Sequence, residues 1–241
     1  MATGNINVSV ENIFPLIKKF LYSDHEIFLR ELVSNATDAT LKMKHLTTIG
    51  ETTVEYGDPK IEVRIDKDKG TLHVIDQGIG MTREEVEKYI NEVAFSGAGE
   101  FLEKYKDTAK DSGIIGHFGL GFYSAFMVAN KVEIITKSYK DEPAAHWICE
   151  GTTQFTIEEA GKTERGTEVI LHINEEDKEF LKESRIRELL VKYNKFMPIP
   201  IKFGTTEEEL PLPEDAPKDA KAEKVTVDNI INNPTPACEV T

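Results

Sequence analysis

Residues 28–44 read FLRELVSNATDATLKMK, and the order of side chains in this stretch decides the fold. At 3.6 residues per turn, Glu31, Asn35, Asp38 and Lys42 recur at spacings of four, three and four, so one narrow stripe of a helix carries them all. Phe28, Leu32, Ala36, Ala39 and Met43 form a second stripe directly beside it. A helix that needs only solvation sets its carboxylates opposite its apolar face. Here they adjoin that face, where water is partly excluded. A solvated face would account for the stripe taken alone, and the rest of the chain decides against it.

The totals set bounds on function. The 241 residues suffice for a real core, and 43 acidic against 29 basic residues give a net charge of −14. Such a balance argues against nucleic acid as the main partner, so any phosphate must be held locally. Cys149 and Cys238 form no CxxC pair and are too few for a disulfide scaffold, which predicts reduced thiols and a cytoplasmic setting. The opening MATGNINVSV lacks the features of an export signal, and no apolar run approaches a membrane span. The expectation is a protein that is neither exported by that route nor embedded in a membrane.

Working outward from the helix, NINVSV at 5–10 alternates like a strand, and Ser23 with Glu26 offers a capping box for the long helix. Residues 49–59 read as a loop, and 60–75 as a hairpin turning at DKDKG. Thr82 and Glu85 start another helix. Six of the 16 glycines lie between Ser96 and Gly121, around a short helical piece, EFLEKY. An apolar helix over Phe122–Val128 is expected next, then four strands: KVEIITK, AHWICE, TQFTIE and TEVILHI. An amphipathic helix through Leu189 and Tyr193 and a short strand, IPIKF, complete the pattern. The prediction is an α+β two-layer sandwich, with helices packed on one face of a mostly antiparallel mixed sheet. From Thr205 on, five prolines and nine acidic residues against three lysines read as a linker.

Three further motifs carry chemistry. Asp76-Gln77-Gly78-Ile79-Gly80-Met81 puts an acceptor-only carboxylate at a strand's end beside glycines, which suits a ligand amine such as that of adenine. A plain turn explains the D-x-G pattern equally well when it stands alone. Gly116-His117-Phe118-Gly119-Leu120-Gly121 runs into the helix expected at Phe122, an arrangement whose amides and dipole favour phosphate. It matches neither the dinucleotide fingerprint nor the P-loop. Arg165-Gly166-Thr167 places a hydroxyl where a buried strand begins.

In this order, ELVSNATDA, DQGIGM, GHFGLGFYSAF and RGT resemble the four nucleotide-site motifs of the ATPase superfamily of gyrase, heat-shock chaperones, histidine kinases and MutL. FGLGFYSAF, FLRELVSNATDA and the opening strand and helix are similar to one branch, the bacterial-type 90-kDa heat-shock chaperones. The resemblance covers about 5–203 and implies a Bergerat-type ATP-binding domain over 1–204, with a lid at about 94–121. Residues 205–241 would be a linker toward a middle domain. It also implies ATP and ADP as ligands, Mg²⁺ as cofactor, slow ATP hydrolysis that drives lid closure, unfolded client proteins, and a homodimer in the full-length protein.

Carried over by position, Glu31 would be the general base and Asn35 the Mg²⁺ ligand, while Asp38 would line the adenine side. Asp76 would accept from the adenine amine, with Thr167 in support through a water. Gly80 and Met81 would shape the base pocket, and Gly119, Gly121 and Phe122 would face the phosphates. The family usually has lysine where this chain has Phe95, and Lys42 is expected to compensate in part. Arg165 is expected beside the adenine-side Thr167, and Arg30 and Arg83 away from the acidic stripe, leaving no arginine evidently placed for the γ-phosphate. The Pro-x-Trp that would lead into the middle domain is not found in PTPACEVT. The rivals are the same site in a histidine kinase or a DNA-acting clamp, which would bring a phosphoacceptor helix or basic surfaces, and a nucleotide sensor without turnover, which would need no base.

Overall fold

Apolar residues at alternate positions make strands with one dry face, and eight strands, the central ones of this kind, line up among the described residues. The computed structural model describes residues 24–91, 97–105, 121–209, 224–232 and 234. In chain order these hold α1 (Ile27–Thr48), β1 (Ile61–Asp66), β2 (Thr71–Ile75), α2 (Arg83–Asn91) and α3 (Gly97–Lys104). A 3-10 helix (Gly121–Met127) precedes β3 (Ala129–Lys137), β4 (Ala144–Cys149), β5 (Phe155–Ala160) and β6 (Gly166–Ile173). A second 3-10 helix (Glu175–Leu181), α4 (Glu183–Asn194), β7 (Ile201–Glu209) and β8 (Lys224–Ile230) follow.

The strands form one sheet in the order β5-β4-β3-β6-β2-β1-β7-β8. All neighbours are antiparallel except β1 and β7. Register fixes which side chains share a face. Val132, Ile134 and Thr136 of β3 stand opposite Leu171, Val169 and Thr167 of β6, which continue into Leu72 and Val74 of β2. That face is buried, and α1 lies against its β1 and β2 strands. Phe28 at the start of α1 meets Phe180 edge to face at 5.1 Å, with Ile186, Leu189 and Leu190 of α4 buried in the same core. The opposite face is polar: Glu133 holds His146 at 2.7 Å and His172 at 2.6 Å, and Glu168 holds His73 at 2.8 Å. The α+β architecture expected from the sequence is the one found.

Four local expectations need correction. Glu26 makes no reciprocal cap at α1. Its carboxylate is taken by Lys192 at 2.7 Å, by Arg185, and by the Tyr193 hydroxyl at 3.0 Å, all from α4. The segment after Gly121 is a 3-10 helix and not an α-helix. The stretch from Thr205 is in part sheet, since β7 runs on to Glu209 and β8 pairs with it from Thr205↔Asp228 to Glu209↔Lys224. Lys60 and Lys202 meet Asp228 there at 3.0 and 3.1 Å, so the acidic composition is matched by lysines from the sheet. Finally, Arg30 does not point away from the acidic stripe, as described below. The strand expected at 5–10, Ser23, Phe95 and Gly119 lie outside the described residues. Among the described residues no helix is long and apolar enough to cross a membrane.

Candidate functional site

The site is built where β2 ends. Asp76 continues β2 past its last residue, donates its N–H to the Thr167 carbonyl at 2.8 Å, and turns its carboxylate toward the buried face. Oδ1 accepts from the Gly78 N–H at 2.7 Å and the Thr167 N–H at 3.3 Å. Among the described residues, Oδ2 accepts no hydrogen bond. The residue is only 6% exposed, and burial pushes its carboxyl up to about 7, against the pull of the Gly78 and Thr167 amides. A carboxylate in this state is an acceptor short of a donor.

The glycines after it answer to close packing. A Cβ on Gly78 would come within 2.5 Å of the Ala39 backbone of α1. Gly80 has φ of +61°, and a Cβ there would overlap the Lys137 carbonyl of β3. The loop is therefore wedged between α1 and β3, with Ile79 donating to the Ala39 carbonyl at 3.1 Å and accepting from the Tyr139 N–H at 2.8 Å. Met81 donates its N–H to Thr136 Oγ1 at 2.9 Å, and Thr136 Oγ1 lies 2.9 Å from Thr167 Oγ1. Thr136 is fully buried beside Asp76 and was not singled out in the sequence. Its cue is faint: a threonine where KVEIITK alternation calls for an apolar residue.

On α1 the stripe behaves unevenly. Glu31 is partly buried, and its Oε1 accepts from both Nε and Nη2 of Arg30, at 3.0 and 2.5 Å. Arginine is long enough to fold back over one helical step, which spacing alone does not reveal. A Cβ on Gly121 would stand 2.7 Å from Glu31 Oε2, so the start of the 3-10 helix and Glu31 are in contact. Asn35 is exposed and makes no hydrogen bond to the described residues. Asp38 is buried. Lys42 is largely desolvated, which lowers its pKa against the opposing charges of Asp38 and Glu85. Its ammonium stands 5.7 Å from the Phe101 ring of α3. His45 packs edge-on to Phe101 and Tyr105 at 5.6 and 5.5 Å. Phe122 is buried, 5.7 Å from Trp147, whose indole donates to Asn91 Oδ1 at 3.0 Å.

The structure thus gathers Asp76, Gly80, Met81 and Thr167 at one corner and Glu31 with Gly121 at another, joined by α1. The first corner offers a buried acceptor, Asp76, and the second a carboxylate, Glu31, near a glycine turn. Among the described residues there is no cluster of His, Cys, Asp and Glu suited to hold a metal ion.

Comparison with known proteins gives the family and its relatives. Residues 22–179 match a family described as histidine kinase-, DNA gyrase B- and HSP90-like ATPase. The chain is similar to the protein named chaperone protein HtpG of Bacteroides thetaiotaomicron, 60% identical over 98% of this chain and 33% of that protein. The protein of the same name from Porphyromonas gingivalis is 54% identical over 97% of this chain and 33% of its own length. That from Shewanella amazonensis is 42% identical over 89% and 35%. The chain spans about a third of the length of these relatives.

Proposed function

This chain belongs to the histidine kinase-, DNA gyrase B- and HSP90-like ATPase family, and from that premise we propose that it is the ATP-binding, slowly hydrolysing part of an HtpG-like chaperone. The observation that carries the reading is the buried Asp76 carboxylate, with one oxygen held by backbone amides and the other without a donor among the described residues. The adenine amine supplies that donor, and a water bridges the base to Thr167. Gly80 and Met81 line the base, with Asp38 on its α1 side. Gly119, Gly121 and Phe122 face the phosphates, and Lys42 adds a positive charge from α1.

Glu31 orients and deprotonates the attacking water. In this structure Arg30 occupies its Oε1, so one oxygen is held and the other is left for water. Asn35 fits a Mg²⁺ site through a neutral amide oxygen that is exposed and accepts no hydrogen bond from the described residues. When bound, the ion neutralises phosphate charge. The lid over about 94–121 and the division at residue 204 belong to the same proposal, amended by β8, which ties part of the later stretch onto the sheet. ATP-driven clamping of a cytoplasmic homodimer around unfolded clients follows from the likeness to the HtpG chaperones. Hydrolysis by this chain alone is slow, because the arginine that stabilises the γ-phosphate comes from another domain, a contribution worth about 10³–10⁵ in GTPases whose arginine is supplied from outside the nucleotide fold.

The test is calorimetric titration with MgATP, followed by single-turnover hydrolysis. Glu31→Ala should bind ATP as the parent does and hydrolyse it about 10²–10⁴ times more slowly. Unchanged hydrolysis in that variant would remove Glu31 from the chemistry, and no binding by the parent chain would remove the proposal.

A further inference from the structure

Among the described residues Arg165 directs its hydrogen bonds to backbone carbonyls, while its charge also acts on Asp76 from a distance. Arg165 donates from Nη1 to the Gln77 carbonyl and to the Gly78 carbonyl at 3.2 Å, and from Nη2 to the carbonyls of Glu55 at 2.9 Å and Tyr56 at 2.7 Å. Those four acceptors belong to two segments without regular structure: the loop between α1 and β1, and the loop after Asp76. A guanidinium carries five N–H donors in a rigid fork, so it can hold two loops at a fixed separation.

The next two residues grip the same loop from within. Gly166 has φ of +117°, and a Cβ there would overlap the Asp76 carbonyl, while the Thr167 N–H reaches Asp76 Oδ1 at 3.3 Å. Residues 165–167 therefore fix the peptides around Gln77 from the carbonyl side. The Gly78 N–H, on the far side of the same peptide unit as the Gln77 carbonyl, is the shorter of the two bonds that hold Asp76 Oδ1.

We infer that Arg165 is a positioning residue for the base: by tying the carbonyls of Glu55 and Tyr56 to those of Gln77 and Gly78, it sets the direction in which Asp76 presents its free oxygen. The inference rests on the adenine reading of Asp76. Without the fork, the Gln77–Gly78 peptide can rock, the Gly78 N–H leaves Oδ1, and the carboxylate turns away from the ligand amine.

The experiment is a double-mutant cycle on this chain, with ADP binding measured by calorimetry and thermal melting recorded beside it. Arg165→Ala should weaken ADP binding about tenfold, and Asp76→Asn more. In the Asp76→Asn background, adding Arg165→Ala should change affinity less than about twofold, because the second residue acts only through the first. Arg165→Lys, which keeps the charge and loses the fork, should fall between parent and alanine variant, and it carries the test if the alanine variant does not fold. A merely structural arginine would lower the melting temperature and leave the two affinity losses multiplicative. That result, or parental affinity in both Arg165 variants, overturns the inference alone. Parental affinity in Asp76→Asn overturns the adenine reading and the inference together.

Discussion

Asp76 and Glu26 are both carboxylates at the border of the same core, and their surroundings drive them in opposite directions. Glu26 sits where α1 begins against α4, and Lys192, Arg185 and Tyr193 hold its carboxyl down at about 2. Asp76 sits where β2 ends, and burial pushes its carboxyl up to about 7. Both Glu26 oxygens are taken by side chains of α4, whereas among the described residues one Asp76 oxygen accepts no hydrogen bond. The linkage follows. Glu26 ionises more readily folded than unfolded, so it contributes stability above the ordinary glutamate value of 4.5, and that contribution is lost as pH falls toward about 2. Asp76 ionises less readily folded, so the unliganded chain loses stability as pH rises from about 3.8 to about 7. The Glu26 corner adds stability once ionised, and the Asp76 corner costs stability once ionised.

The comparison breaks most visibly at Gly80. Gly80→Ala must displace the Lys137 carbonyl and adopt a left-handed backbone, so a loss of roughly 3 kcal/mol in stability is expected, with ADP binding abolished. Next in size, Asp76→Asn should weaken ADP by about 1.5–3 kcal/mol, the range for a charged hydrogen bond, while Glu26→Gln leaves ADP affinity unchanged. The same two variants should move melting temperature in opposite senses near pH 8. Glu26→Gln lowers stability by about 1–2 kcal/mol through a weakened, partly exposed network, and Asp76→Asn raises it by relieving a buried charge. Equal signs in that scan would contradict the contrast. Thr136→Val should cost about 1 kcal/mol of ADP affinity, since Met81 N–H and Thr167 lose a shared partner. Smallest of all, Glu183→Gln at the exposed pair with Lys67 should change melting by less than about 0.5 kcal/mol and affinity not at all.

Much of this was legible in the sequence, and where it was not the reason is physical. Strand alternation placed β1 to β6, because a sheet with one dry face must write itself as period two. Thr82 and Glu85 do form the reciprocal cap at α2, each N–H meeting the other's side chain at 2.8 and 3.2 Å. Ser23 and Glu26 carry the same spacing, yet Glu26 finds stronger cationic partners on α4, which no local pattern encodes. β8 was hidden because KVTVDNI alternates inside a stretch whose prolines and carboxylates dominate any average. Arg30 reaches Glu31, and Arg165 reaches past Thr167 to the carbonyls of Glu55 and Tyr56, for one reason: a long side chain acts several ångströms from its Cα, so helix or strand position says little about its partner. Thr136 becomes meaningful only once register sets it against Thr167.

The most direct test of the central claim, that Asp76 waits ionisable and unpaired for a ligand donor, is MgADP affinity as a function of pH. Parent and Asp76→Asn chains are titrated side by side from pH 5.5 to 8.5, so that the ligand's own ionisation is common to both. The account predicts that parental affinity rises as pH passes upward through about 7, approaching tenfold per pH unit on the acid side, and levels off above. The Asp76→Asn chain should bind more weakly at high pH, and the affinity ratio between the two should shrink as pH falls. A ratio that stays constant across this range, or near one at pH 8.5, would contradict it.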